Sequence, residues 1–181
     1  MNVAVELCFD SDSESRLRAL WDSLELIYGS DHETEIGVRP HISLTAFSDG
    51  EPDFLSDEIQ ALANRFEPFE LKLASVGSFP TAEGVVYLAP SPNERLDSIH
   101  TDFHAVLASH EEPGNPYYRP GTWVPHCTVA TGVPSSLMDT VLEACRAEDV
   151  LQEVIVQGIG MTSYHPVKSL QMFSLIQKGV T

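Results

Sequence analysis

The chain has 181 residues, with 27 acidic against 10 basic side chains and a formal net charge of −17. That length suits one ordinary domain able to bury about 70% of its unfolded surface, and the acidic excess excludes a protein that coats long nucleic acid through a basic stripe. No stretch reaches the ~18 apolar residues of a membrane helix, and the N-terminus lacks the basic start and apolar centre of a signal peptide, so a cytoplasmic protein without a membrane partner is expected.

Val3 to Phe9 alternates as a strand does, and residues 13 to 27 carry Leu17, Leu20, Trp21, Leu24 and Ile27 at helical spacing behind an acidic, Ser-rich start. The polar run from Gly29 to Glu35 follows. It contains His32-x-Thr34, but has no strand alternation, so that pair is a decoy for the motif described below. A strand over about 40–47 comes next, then a helix from Asp53 to about Phe66 and strands near 69–79 and 84–89. In the first of these strands Phe69, Leu71 and Leu73 alternate with Glu70 and Lys72, which leaves one face to solvent.

The second half opens with a helix over about 92–109, with Leu96, Ile99, Phe103, Val106 and Leu107 on one side. A loop with Pro113, Gly114, Pro116, Pro120 and Gly121 follows and cannot be a helix interior. A strand over about 123–131, a helix over about 134–147 and strands over about 151–162 and 169–177 complete the chain. No low-complexity linker divides it. The expectation is a single α+β domain over residues 1–181, built from two similar halves with helices outside antiparallel sheets.

Arg39-Pro40-His41-Ile42-Ser43-Leu44-Thr45 and Val124-Pro125-His126-Cys127-Thr128-Val129-Ala130 nearly match. Each gives Pro, His, an apolar residue, a hydroxyl residue and another apolar residue. Strand alternation projects His41 with Ser43, and His126 with Thr128, while Ile42, Leu44, Cys127 and Val129 face a core. Two imidazole-plus-hydroxyl pairs supply a proton acceptor, a proton donor and two hydrogen-bond donors for phosphate oxygens, the set that in-line phosphoester chemistry needs.

Other residues leave alternatives open. Arg39, Arg119 and Lys168 are each either a cation for the phosphate or a solvated surface charge. Tyr117 and Tyr118 either stack on a nucleobase or pin their loop by burying their rings. His100 and His104, at i and i+4, have metal-ligand spacing but no evident third ligand, and read better as a helix-surface or half-buried pair. His165, in Tyr164-His165-Pro166, reads as a structural turn residue. Cys8, Cys127 and Cys145 fit no metal spacing and no disulfide framework, so they read as small buried apolar residues.

With both Pro-His motifs in this order of elements, the chain resembles the two-histidine (2H) phosphoesterases, specifically the 2′-5′ RNA ligase and cyclic phosphodiesterase group. Smaller echoes are Val85-Val86-Tyr87-Leu88-Ala89-Pro90 ahead of a helix with Leu96 and His100, and the closing Pro166-Val167-Lys168-Ser169-Leu170-Gln171-Met172-Phe173. The resemblance implies a bilobal, pseudo-twofold fold in which two antiparallel sheets line a central groove. It implies hydrolysis, without metal or cofactor, of a 2′,3′-cyclic phosphate on a nucleotide or RNA end. His41 and His126 would be the acid/base pair, and Ser43 and Thr128 would hold the phosphate, with Tyr117, Tyr118, Arg119 and Lys168 as further candidates for substrate contact. Ser43 stands where the family usually has Thr; it keeps the hydroxyl but lacks the methyl that stiffens the rotamer. The expected partner is a nucleotide or short RNA phosphodiester bound by a monomer. An RNA 2′-5′ ligase and a noncatalytic nucleotide-binding module are the other readings, and a His-based metal hydrolase is disfavoured because the two motifs supply only two good ligands.

Overall fold

The computed structural model describes residues 2–29, 38–48, 52, 54–147, 153–164 and 167–176. The first half contributes β1 (Asn2–Phe9), α1 (Ser11–Tyr28), β2 (His41–Phe47), α2 (Leu55–Ala63) and β3 (Phe69–Ser78). The second contributes β4 (Val86–Pro90), α3 (Glu94–Ser109), β5 (Cys127–Ala130), α4 (Met138–Ala147), β6 (Glu153–Tyr164) and β7 (Lys168–Ser174). The α+β expectation holds. All strand pairs are antiparallel, in the order β2-β1-β6-β3-β4-β5, with β7 on the far side of β6.

The two lobes exchange strands. One is β2-β1-β6 and the other β5-β4-β3, so each takes its third strand from the opposite half of the sequence. Helices pair in the same crossed manner, α1 with α4 and α2 with α3. The strand β3 joins the lobes because its start pairs with β6 (Phe69–Lys72) and its end with β4 (Leu73–Ser78). The apolar faces meet helices through Val3, Val5 and Leu7 of β1, Leu17, Leu20 and Leu24 of α1, and Leu96, Ile99, Phe103 and Leu107 of α3, all buried.

Local signals set the element ends. Asp10 caps α1 by accepting from the Ser13 N–H at 3.0 Å, and Gly29 closes the helix at φ 62°, a left-handed conformation that glycine adopts without a side-chain clash. Two elements begin markedly later than the spacing predicts. The second histidine strand starts at Cys127, since Pro125 offers no N–H and the Val124 carbonyl is taken by the His126 ring. The last helix starts at Met138, after a turn in which the Leu137 N–H donates to the Pro134 carbonyl. The loop after α3 contains a 3-10 turn, Pro116–Tyr118, capped by Asn115. Among the described residues, no helix is long and apolar enough to cross a membrane.

The β4–β5 pairing extends past the strands: Gly132 N–H donates to Glu83 O and Val133 N–H to Gly84 O. Gly84 has φ +59°, and a Cβ there would lie 2.3 Å from Val133 O and 2.6 Å from Val133 N, backbone atoms that cannot swing aside. Gly84→Ala is therefore expected to destabilise the fold by more than about 2 kcal/mol, from clash and left-handed strain together. A urea midpoint equal to the parent's would contradict this close approach.

Candidate active site

On β2, His41 and Ser43 are half-buried while Ile42 and Leu44 are fully buried, as the alternation predicts. Pro40 contributes no N–H, and the His41 ring uses the carbonyl beyond it: Nδ1 lies 2.6 Å from Arg39 O. A carbonyl only accepts, so the hydrogen sits on Nδ1 and Nε2 is left for other work. Between β1 and β2 a bulge makes Leu44 the extra residue, with Val5 opposite Thr45 and Glu6 opposite Ser43. On this edge strand the Ser43 and Leu44 carbonyls accept from Trp123 Nε1 at 3.0 Å and His104 Nε2 at 3.2 Å.

The second motif repeats the device. His126 Nδ1 donates to Val124 O, across Pro125, at 2.7 Å. Its ring meets Phe79 edge-on at 4.9 Å and tilts against Tyr87 at 5.4 Å. Tyr87 lies flat over β3 because its partner there is Gly77, whose missing Cβ would fall 2.7 Å from the Tyr87 ring. On its other side Tyr87 pairs with Thr128. Burial lowers the His126 pKa below its ordinary value, against the bond to Val124, and the charge of His41 pushes it the same way.

A cavity of about 440 Å³ opens on the first motif, lined in part by Glu6, Arg39, His41, Ser43, Tyr118 and Thr162. Its lining does not include His126 or Thr128, which belong to the neighbouring lobe. The two motifs nevertheless abut, since β2 and β5 are in contact and the His41 charge reaches His126. Tyr118 and Ser43 line the same cavity, and burial raises the Tyr118 phenol above its ordinary pKa. Arg39 is held by Glu14, with Nε at 2.8 Å and Nη2 at 2.6 Å from one carboxylate oxygen. Although burial acts to raise it, hydrogen bonds from Arg39 and Arg18 hold the Glu14 carboxyl below its usual range.

The remaining candidates fall elsewhere. Tyr117 is 81% exposed, so of the two loop tyrosines only Tyr118 reaches the cavity. Arg119 is exposed and folds back onto its own loop, with Nε 2.9 Å from Pro113 O. Lys168 is exposed at the start of β7, outside the cavity lining. His100 and His104 are buried, not on the helix surface. The ring of His100 stacks on Trp123 at 3.7 Å and its Nε2 donates to Tyr118 O at 2.7 Å. These two histidines hold β2 and the Tyr118 loop in place. Among the described residues no three His, Cys, Asp or Glu side chains gather as a metal site. His32, Thr34 and His165 lie outside the described residues. The three cysteines are buried, and burial pushes the Cys8 and Cys127 thiols up to about 12, which removes them as nucleophiles.

Glu6 is absent from the sequence expectations. It is 7% exposed, with Oε1 3.4 Å from His41 Nε2 and Oε2 accepting from Thr162 Oγ1 at 3.0 Å. The one available signal was a carboxylate in the middle of an otherwise apolar strand, Val3-Ala4-Val5-Glu6-Leu7-Cys8-Phe9. Trp123 gave no comparable signal.

A family model described as the 2′-5′ RNA ligase superfamily matches residues 13–167, most of the chain. The chain belongs to this superfamily. A protein of Bacillus cereus strain B4264 named "Putative phosphoesterase" is 29% identical over 119 residues, covering 64% of this chain and 65% of its own length. The chain thus spans a little under two thirds of the curated relatives it matches. Two solved structures share the fold over 97% of this chain and 98% of theirs. They are TT0787 of Thermus thermophilus, at 17% identity and TM-score 0.57, and E. coli LigT complexed with 3′-AMP, at 16% and 0.58. The fold of helices and antiparallel strands described above is shared with these structural neighbours.

The buried α3 histidines generate a pH prediction. Burial lowers both pKa values against the carbonyl bonds, His100 to about 4. Unfolding returns each ring to its ordinary value of about 6.5. Their contribution is therefore present above pH 6.5 and lost as pH falls towards about 4, because the unfolded chain binds the extra protons. His100→Gln should lose less stability than the parent between pH 7 and pH 5 in urea titrations; parallel losses would contradict the assignment.

Proposed function

We propose that this protein is a metal-independent phosphodiesterase that hydrolyses a 2′,3′-cyclic phosphate on a nucleotide or short RNA end, acting as a cytoplasmic monomer of one two-lobed domain. The observation that carries this reading is the duplicated device of the site: each imidazole gives its Nδ1–H to the carbonyl two residues back and keeps Nε2 for proton transfer beside a hydroxyl. One neutral imidazole takes a proton from water as the water oxygen bonds to phosphorus. The other, protonated, gives its proton to the ribose oxygen as the P–O bond breaks. Ser43 and Thr128 hydroxyls donate to the equatorial phosphoryl oxygens, and Tyr118 borders the same cavity.

The comparisons agree in kind. LigT is a structural neighbour in forms complexed with 3′-AMP, NADP+, ATP and phosphate, ligands with phosphate in common. Arg119, Lys168 and Tyr117 remain candidates for contact only with a longer substrate, since they lie outside the cavity lining.

A screen of 2′,3′-cyclic nucleotides and 2′-5′-linked dinucleotides, from pH 5 to 9 with and without EDTA, tests the reading. Turnover should be bell-shaped, with a maximum near about pH 6 to 7.5 that belongs to the coupled pair, and chelator should leave it unchanged. His41→Ala and His126→Ala should each lower the rate by about 10² or more with little change in melting temperature. Activity that EDTA abolishes would replace this mechanism with a metal-dependent one. Binding without turnover would favour the nucleotide-binding module, and joined products the ligase.

A further inference from the structure

The pseudo-twofold relation makes the two histidines look interchangeable, and one pair of equivalent positions breaks that equivalence. Across the first lobe the strand register places Gly160, Glu6 and Ser43 side by side; across the second it places Gly77, Tyr87 and Thr128. Glycine is matched by glycine and hydroxyl by hydroxyl. Between them stands a carboxylate in one lobe and a phenol ring in the other.

We propose that Glu6 is a positioning residue that holds His41 as the proton-donating member of the pair and so leaves His126 as the base. This deepens the function proposed above and rests on its reading of the two histidines as acid and base. Both ring nitrogens of His41 face oxygen acceptors: Nδ1 faces Arg39 O at 2.6 Å and Nε2 faces Glu6 Oε1 at 3.4 Å. With an oxygen acceptor facing each nitrogen, a proton on either one has a partner. Glu6 is fixed in turn by Thr162, and its pairing neighbour Gly160 adds no side chain, since a Cβ there would lie 2.8 Å from Cys8 Sγ.

The surroundings of His126 act in the opposite sense. The described partners of its ring are Val124 O and the Phe79 and Tyr87 rings, which supply no anion. Among the described residues, the other charged or titratable groups that face Glu6 and His41 are few. Arg39 is engaged by Glu14, the Cys8 thiol is pushed up to about 12, Tyr118 is raised, and Tyr164 and His126 complete the set. Among the described residues Glu6 is thus the carboxylate left to act on His41. In turnover the water proton goes to His126 Nε2, the P–O bond to ribose breaks, and the proton on His41 Nε2 goes to the ribose oxygen. Solvent exchange then resets both rings.

The test measures kcat/KM for a 2′,3′-cyclic nucleotide from pH 5 to 9 in the full chain, in Glu6→Gln and in Glu6→Asp, together with NMR titration of the histidine rings. Glu6→Gln should move the alkaline limb to lower pH by about half a unit or more, lower kcat/KM about threefold or more at pH 7.5, and leave the acid limb in place. Glu6→Asp should restore part of the shift. In the NMR titration the His41 midpoint should fall in Glu6→Gln while that of His126 stays. A uniform loss of rate at every pH with both limbs unmoved, or movement of the acid limb, would overturn the assignment. If the parent shows no turnover, the function proposed above fails on its own account; the NMR arm still decides the role of Glu6, because an unmoved His41 midpoint overturns it.

Discussion

In both motifs the imidazole Nδ1–H is given to the carbonyl two residues earlier, across a proline that has no N–H of its own, and much of the site follows from that bond. The proline keeps the chain extended, so the earlier carbonyl lies beside the ring and not in the sheet ladder. The tautomer is thereby fixed by backbone alone. Such a tether leaves the neighbouring side chains free to differ. They do differ: a buried carboxylate accompanies one ring and two aromatic rings accompany the other.

What could be read from the sequence follows from how local each interaction is. The projection of His41 with Ser43, and the burial of Ile42 and Leu44, need only the two-residue period of a strand. The role of Glu6 depends on the bulge at Leu44 and on strands β1, β2 and β6 lying in that order, which no local pattern states. Arg39 was legible as a cation, but its engagement by Glu14 requires the first turn of α1 to sit against the start of β2. His100 and His104 were legible as a helical pair. Their burial against Trp123 and the β2 carbonyls was not, because the loop that brings Trp123 there has no periodicity. The late start of β5 came from a carbonyl spent on a side chain, which strand propensity does not register.

The charge of the groove is set by competition among a few groups. In a chain of net charge −17, the arginine that lines the cavity is already committed to a carboxylate, and Glu6 adds a further negative group beside His41. For the reaction proposed here, an anion must then be met mainly by imidazolium and hydroxyl groups. That arrangement suits a singly charged diester better than a dianionic monoester, whose second charge would face Glu6.

The exchange of third strands between the halves also governs how the protein comes into being during translation. The sheet that carries His41 is completed by β6, some 150 positions after β1, whereas β3 has already been made when β4 and β5 emerge. At about 5–20 residues per second, β1 waits roughly 8–30 s for its third strand, with the edge that takes β6 unpaired. The His126 lobe can assemble first and offer the start of β3 as a template for β6. The two histidines, alike in their local geometry, thus belong to lobes that are completed at different times on the ribosome.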